Sequence, residues 1–142
     1  RGIEFSTNYR LNERLRFTAE ALWNDATVRR SDVAPALEDK RIAQVPRHTL
    51  TFGGTWRAPG GITLTPRLRW IGAQFEDDEN TLRLGEVAVI DLGAVYPLGR
   101  GWELFVSAEN LGNALIETGR SADGVVNVGT PRLLLGGIRG SW

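Results

Sequence analysis

The sequence predicts an all-β chain, an antiparallel up-and-down transmembrane β-barrel fragment carrying about seven strands of a larger barrel. Three observations lead there. Apolar and polar residues alternate with a period of two over stretches of about ten residues, the length that crosses a bilayer at a tilt. The connections between those stretches alternate between tight turns and long polar segments. No run approaches the roughly 20 apolar residues of a spanning helix, the longest purely apolar runs being as short as Val87–Ile90.

The strands are expected near residues 2–11, 14–25, 47–58, 61–75, 86–97, 101–112 and 131–142. In the second, Leu15, Phe17, Ala19, Ala21 and Trp23 share one face while Arg16, Thr18, Glu20 and Asn24 share the other. The third sets Leu50, Phe52 and Trp56 against Thr49, Thr51, Thr55 and Arg57. The fourth sets Ile62, Leu64, Leu68 and Trp70 against Thr63, Thr65, Arg67 and Arg69. In the sixth, Trp102, Leu104, Val106 and Ala108 oppose Glu103, Ser107 and Glu109. One turn of helix is expected at Arg41–Gln44, inside a loop.

Leu11–Arg14, Ala58–Gly61 and Leu98–Gly101 read as tight turns, where Gly supplies positive φ and Pro presets φ. Residues 26–46, 76–85 and 113–130 are the long polar connections. Outer-membrane barrels keep short turns in the periplasm and long loops outside the cell. If Trp142 ends a descending strand, every short turn falls on the periplasmic side by parity.

Composition narrows the function classes. Lys+Arg 17 against Asp+Glu 17 leaves no net charge to draw in nucleic acid, so no nucleic-acid partner is expected. Cys 0 removes a disulfide framework, a thiolate zinc site and a cysteine nucleophile. Met 0 and the start at Arg1-Gly2-Ile3, with no charged and apolar leader, point to a piece of a longer protein whose earlier strands lie upstream. Spanning sheets must close to pair every backbone group, and an odd count near seven does not close in the bacterial pattern of even strand number.

The aromatic residues sit near strand ends. Trp56 and Trp102 fall beside short turns, Trp23 and Trp70 toward the loops, and with Tyr96 they are expected to form two girdles at headgroup level. The competing reading is the Trp-lined core of a soluble β protein. The charged faces would then be the solvated ones.

The carboxy-terminal half adds specific motifs. Val106-Ser107-Ala108-Glu109-Asn110-Leu111-Gly112-Asn113 resembles the "v-x-N-L-f-D/N" stretch of the penultimate strand in TonB-dependent receptors. Gly129-Thr130-Pro131-Arg132 resembles the "G-x-P-R" that opens their final strand, and the chain stops on the aromatic Trp142. Val45-Pro46-Arg47-His48-Thr49-Leu50 is similar to the "v-P-k/r-H-x-l" start of an earlier strand of that family. Asn113, Ile116 and Gly140 depart from the family pattern.

The resemblance implies the carboxy-terminal part of a barrel of about 22 strands around an amino-terminal plug, in the bacterial outer membrane. It implies energy drawn from the inner-membrane protein TonB through segments absent here, and a small-molecule cargo such as a metal chelate, for example a ferric siderophore. Asn110, Leu111, Gly129, Pro131 and Arg132 then mark the last hairpin, and Gly137 and Trp142 belong to a terminal signal read by the barrel-assembly machinery. Lipid bilayer and lipopolysaccharide are the expected surroundings, and no cofactor is implied.

Catalytic patterns are missing. His48 is the lone histidine, so neither a His cluster nor H-E-x-x-H can form, and no serine lies in a G-x-S-x-G elbow. Gly136–Gly140 follows no strand-to-helix unit that would make it a phosphate loop. Glu76-Asp77-Asp78-Glu79 is expected as a solvated loop rather than an ion site. Arg29-Arg30 and Lys40-Arg41 offer exposed charge that can meet lipopolysaccharide phosphates or an anionic ligand. The alternatives to a receptor are a small β-barrel binding module holding an apolar ligand, and an outer-membrane enzyme acting on lipid.

Overall fold

A computed structural model describes residues 1–141; Trp142, the last residue of the expected assembly signal, lies outside the described residues. The strands are β1 (Gly2–Arg10), β2 (Leu15–Asn24), β3 (His48–Arg57), β4 (Thr63–Ile71), β5 (Gln74–Phe75), β6 (Arg83–Leu84), β7 (Val87–Gly99), β8 (Trp102–Glu109), β9 (Glu117–Arg120), β10 (Val126–Val128) and β11 (Leu133–Gly140). Seven of them form one antiparallel sheet in the order β1-β2-β3-β4-β7-β8-β11, each pairing with the next long strand along the chain. β5–β6 and β9–β10 are two small hairpins within the long connections. No helix among the described residues is long and apolar enough to cross a membrane.

Cross-strand register converts the period of two into two continuous faces. Phe5, Ala21, Leu50, Trp70 and Ala88 form one row, and Thr7, Ala19, Phe52, Leu68 and Ile90 the next on that face. The opposite face carries Ser6, Glu20, Thr51 and Arg69 in one row and Asn8, Thr18, Gly53, Arg67 and Asp91 in another. Among the described residues no second layer covers the apolar face. Trp23 is 40% exposed, Phe52 54% and Leu104 41%. The buried apolar side chains among the described residues are only Leu84, Val89 and Ala108, so the described residues form no dry core and Trp23, Trp56 and Trp102 line no buried interior.

Local chemistry sets each strand end. At the first turn Asn12 Oδ1 accepts the N–H groups of Arg14 at 2.8 Å and Leu15 at 2.9 Å, so a side chain closes this turn without glycine. Gly60 (φ 86°) and Gly61 (φ 88°) make the second turn. β7 runs beyond residue 97 to Gly99 through a register shift at Pro97, which shortens the third turn.

β4 stops at Ile71 instead of reaching residue 75, because Gln74 and Phe75 pair with Leu84 and Arg83 in the loop hairpin. β8 stops at Glu109 because Asn110 turns left-handed (φ 47°), and β11 starts at Leu133, after Arg132 has given its N–H to Asn113 Oδ1. The turn of helix expected at Arg41–Gln44 is instead a 3-10 turn at Pro35–Leu37, where the ring of Pro35 presets the first φ. Arg41 is held extended by a bridge to Thr27.

Candidate functional site

Arg67 and Arg69 lie two apart on β4, so both project from the polar face, and Asp91 on β7 is the direct cross-strand partner of Arg67. One carboxylate oxygen of Asp91 takes both guanidinium groups, at 2.9 Å from Arg67 and 3.2 Å from Arg69. The other accepts the backbone N–H of Asn110 at 3.0 Å. Asp91 is 7% exposed, whereas both arginines reach into open space. Two cations on one anion leave an excess positive charge, with N–H donors free to meet an acceptor from the space this face borders.

Asn110 carries that network into the last long connection. It is 3% exposed, and its side-chain oxygen accepts the Ala114 N–H at 2.8 Å while its amide donates to the carbonyls of Ala114 and Thr130 at 2.9 and 3.2 Å. The end of β8 is thereby tied to the start of β11. Leu111 donates its N–H to the Ile90 carbonyl at 2.7 Å. Gly129 packs where a Cβ would come within 3.3 Å of Ile116 and Thr118, and Pro131-Arg132 leads directly into β11.

Further down that hairpin, Phe105 covers Gly137, where an added Cβ would sit 2.9 Å from the ring. Arg139 pairs with Glu103 and lies 5.7 Å from the centre of the Phe105 ring. The aromatic ring thus fills the space a side chain at 137 would take.

The long connections are clasped to one another. Asn80 imitates a strand neighbour: its side chain accepts the Arg41 N–H at 2.7 Å and donates to the Arg41 carbonyl at 2.8 Å. Arg41 itself donates to the Val45 and Ala73 carbonyls and lies 5.3 Å over Phe75, so it is not a free surface charge. Glu76 accepts from Gln44, and Asp77 accepts the N–H groups of Thr81 and Leu82. Desolvation works against ionising Asp77, but the Leu82 and Thr81 N–H groups and the Thr81 hydroxyl outweigh it and lower its pKa to about 2. Glu117 is held below the usual carboxylate range first by the Gly85 N–H, then, against some desolvation, by Arg120. Among the described residues no cluster of His, Asp and Glu can hold a metal ion.

A family model described as "TonB dependent receptor-like, beta-barrel" matches residues 1–111. The chain belongs to this family. The receptor barrels of this family stand in the outer membrane of Gram-negative bacteria. Among solved structures, the ferric preacinetobactin receptor BauA of Acinetobacter baumannii superposes with a TM-score of 0.82 at 21% identity, over 96% of this chain and 21% of that one. The ferric yersiniabactin uptake receptor FyuA of Yersinia pestis gives 0.79 at 19%, over 96% and 22%. The siderophore receptor PiuA of Acinetobacter baumannii gives 0.77 at 16%, over 97% and 21%. The chain therefore spans about a fifth of the length of the receptors it matches. No curated protein matches it.

In a TonB-dependent receptor barrel the apolar face meets acyl chains and the polar face lines the interior. Trp56 is the last residue but one of β3 and Trp102 opens β8, both beside short turns, while Trp23 lies next to the end of β2 and Trp70 next to the end of β4, toward the long connections. Tyr96 pairs with Leu104 on the same face. His48 opens β3 and stacks on Trp70 at 6.2 Å. Arg29 pairs with Asp25 and Arg30 with Asp32. Sequence reasoning passed over Asp91 and Asn80. Asp91 is the one acidic residue in the run from Val87 to Gly99, and that isolation was the available signal.

Proposed function

We propose that this chain supplies the carboxy-terminal strands of an outer-membrane receptor that binds a scarce small molecule, such as a ferric siderophore, and imports it with energy from TonB. One observation carries the reading: a single-layer sheet exposes a continuous apolar face on one side and an arginine-rich polar face on the other, within a chain of this receptor family. A bilayer covers the first, and the aqueous interior of a closed barrel solvates the second.

The remaining strands and the plug are parts of the receptor that this chain does not supply, and the free edges of β1 and β11 each pair with one of those other strands when the barrel closes. Trp23 and Trp70 form the outer girdle; Trp56, Tyr96 and Trp102 form the inner one. Gly137 and Trp142 serve as the terminal signal for the barrel-assembly machinery, while Arg29 and Arg30 face lipopolysaccharide. Asn110, Leu111, Gly129, Pro131 and Arg132 shape the last hairpin. Transport of this kind calls for no covalent chemistry. A small barrel holding an apolar ligand fits less well, because β1 and β11 are not paired and enclose no interior.

The test is uptake of radioactive iron by cells whose own receptors are deleted and which carry the full-length gene. Import of at least one ferric chelate, lost when TonB is removed, is the expected result. Import that persists without TonB, or none with any chelate while the receptor is correctly inserted, rejects the reading.

A further inference from the structure

Asp91 joins two parts of the molecule that are otherwise separate. On one side are Arg67 and Arg69, whose guanidinium groups share one carboxylate oxygen at 2.9 and 3.2 Å. On the other is the connection between β8 and β11, reached through the second oxygen and the Asn110 N–H at 3.0 Å. From Asn110 the side-chain bonds run on to Ala114 and Thr130. Its carbonyl accepts the Asn113 N–H at 2.7 Å, and Asn113 Oδ1 accepts the Arg132 N–H at 3.0 Å. One carboxylate thus links the interior wall to both ends of the 111–132 connection.

The wall side is open and the connection side is closed. The side chains of Arg67 and Arg69 stand partly in the open, 54% and 38% exposed, while Asp91 and Asn110 are buried. A hollow of about 370 Å³ on the polar face, lined by Thr18, Thr65, Arg67, Asp91, Ser107 and Glu109, gives a small anion access to Arg67. Among the described residues Asp91 is the only carboxylate within ion-pair distance of either arginine. Glu109, in the same hollow, and Glu20, in the row of Arg69, pair with neither.

The arginines and the Asn110 N–H stabilise one another through that carboxylate. Both sets of bonds need it charged and held in one orientation, and at a buried site water replaces little of what a departing cation takes away. A phosphate or carboxylate group that engages the two guanidinium groups competes for the donors Asp91 now holds. It also brings negative charge beside Asp91. The carboxylate then loses its orienting cations, and the Asn110 N–H loses a fixed acceptor.

We propose that Asp91 couples the barrel interior to the outer connection: an anion that draws Arg67 and Arg69 away from it loosens residues 111–132. Linkage makes the effect reciprocal, so loosening that connection frees the arginines. Asp91 acts here as a positioning residue, holding Asn110 on one side only while the arginines hold it on the other. The proposal rests on the barrel reading above, but its test involves no uptake, so the two fail separately.

Hydrogen exchange in the full receptor in micelles, read at the Ala114 and Arg132 N–H groups, tests this. Arg67→Gln together with Arg69→Gln is expected to speed exchange there about fivefold, the low end for coupled sites because both arginines touch water. Arg67→Lys with Arg69→Lys, which keeps both charges, restores most of the protection. Arg57→Gln, on the same face but outside the network, leaves it unchanged. In the Asp91→Asn background the glutamine pair has no further effect, because a neutral amide no longer depends on the arginines. Inorganic phosphate at constant ionic strength acts like the glutamine pair on the unaltered receptor and does nothing to Asp91→Asn. In the reverse direction, Asn113→Ala speeds phenylglyoxal modification of Arg67 and Arg69. Heat-resistant gel mobility certifies folding of each variant. Exchange indifferent to the glutamine pair or to phosphate, a glutamine effect that persists in full in Asp91→Asn, an equal response to Arg57→Gln, or arginine reactivity unmoved by Asn113→Ala would each overturn the proposal.

Discussion

The two ends of the sheet are held by different physics. At the short-turn end the contacts are local: Asn12 closes one turn over its own neighbours, Gly60 and Gly61 close another, and Arg10 and Arg57 donate to the carbonyls of Asn12 and Glu13 with no ion pair among the described residues. At the long-connection end, side chains reach far along the sequence. Asn80 binds Arg41, Glu117 binds Gly85, and Asn110 binds Thr130. Local turns fix register and then fall silent energetically, whereas the loop end is a network whose members depend on one another. Substitutions at the loop end should therefore cost more than at the turns.

Asn110→Ala is the largest expected effect. It removes three side-chain hydrogen bonds at a buried site and leaves a residue with a Cβ but no compensating side chain at φ 47°. A loss of about 3 kcal/mol is expected in denaturant unfolding of the full receptor in micelles. Asn110→Gly should recover about 1 kcal/mol of it, because glycine tolerates the left-handed backbone. Equal losses from the two variants would show that the side-chain bonds alone matter.

Asp91→Ala follows, at about 2 kcal/mol. The deficit comes from an unpaired Asn110 N–H and two arginines left facing each other, softened by their contact with water. Asp91→Asn keeps an acceptor for the N–H and should cost less. Asn80→Ala acts locally: protection from hydrogen exchange over residues 26–46 should fall about tenfold, ~1.4 kcal/mol, while β1 and β2 keep theirs. Loss of protection in β1 as well would mean that the loops and the sheet open together.

Much of this architecture was legible in advance, and the reason is periodicity. Strands such as Leu15–Asn24 lie half against lipid and half against water, and that pressure writes a period of two into the sequence. Turns were legible where one residue decides them, as at Gly60. The hairpins β5–β6 and β9–β10 were not, because two to four residues each are too few to show a period. Nor was the clasp of Asn80 on Arg41, since the two residues lie 39 apart and neither departs from ordinary loop composition. Asn110 was visible as a motif residue, while its partner Asp91 required knowing which strands are neighbours.

The smallest expected effect lies in the acidic run. Asp77 holds a folded pKa of about 2 against an ordinary 3.8, so the stability it lends is complete above the unfolded value and is lost as pH falls through the folded one. Its carboxylate anchors the N–H groups of Thr81 and Leu82, and through that turn it presents Asn80 to Arg41. Lowering the pH from about 4 toward about 2 should therefore loosen the 77–82 turn before it touches the Asn110 network. Hydrogen exchange at the Thr81 N–H reports the turn, and exchange at the Ala114 N–H reports the network. Asp77→Asn should show the loosened turn already at neutral pH and flatten the acid dependence. If the acid response survives in that variant, another carboxylate controls the turn and the clasp is driven from the Arg41 side instead.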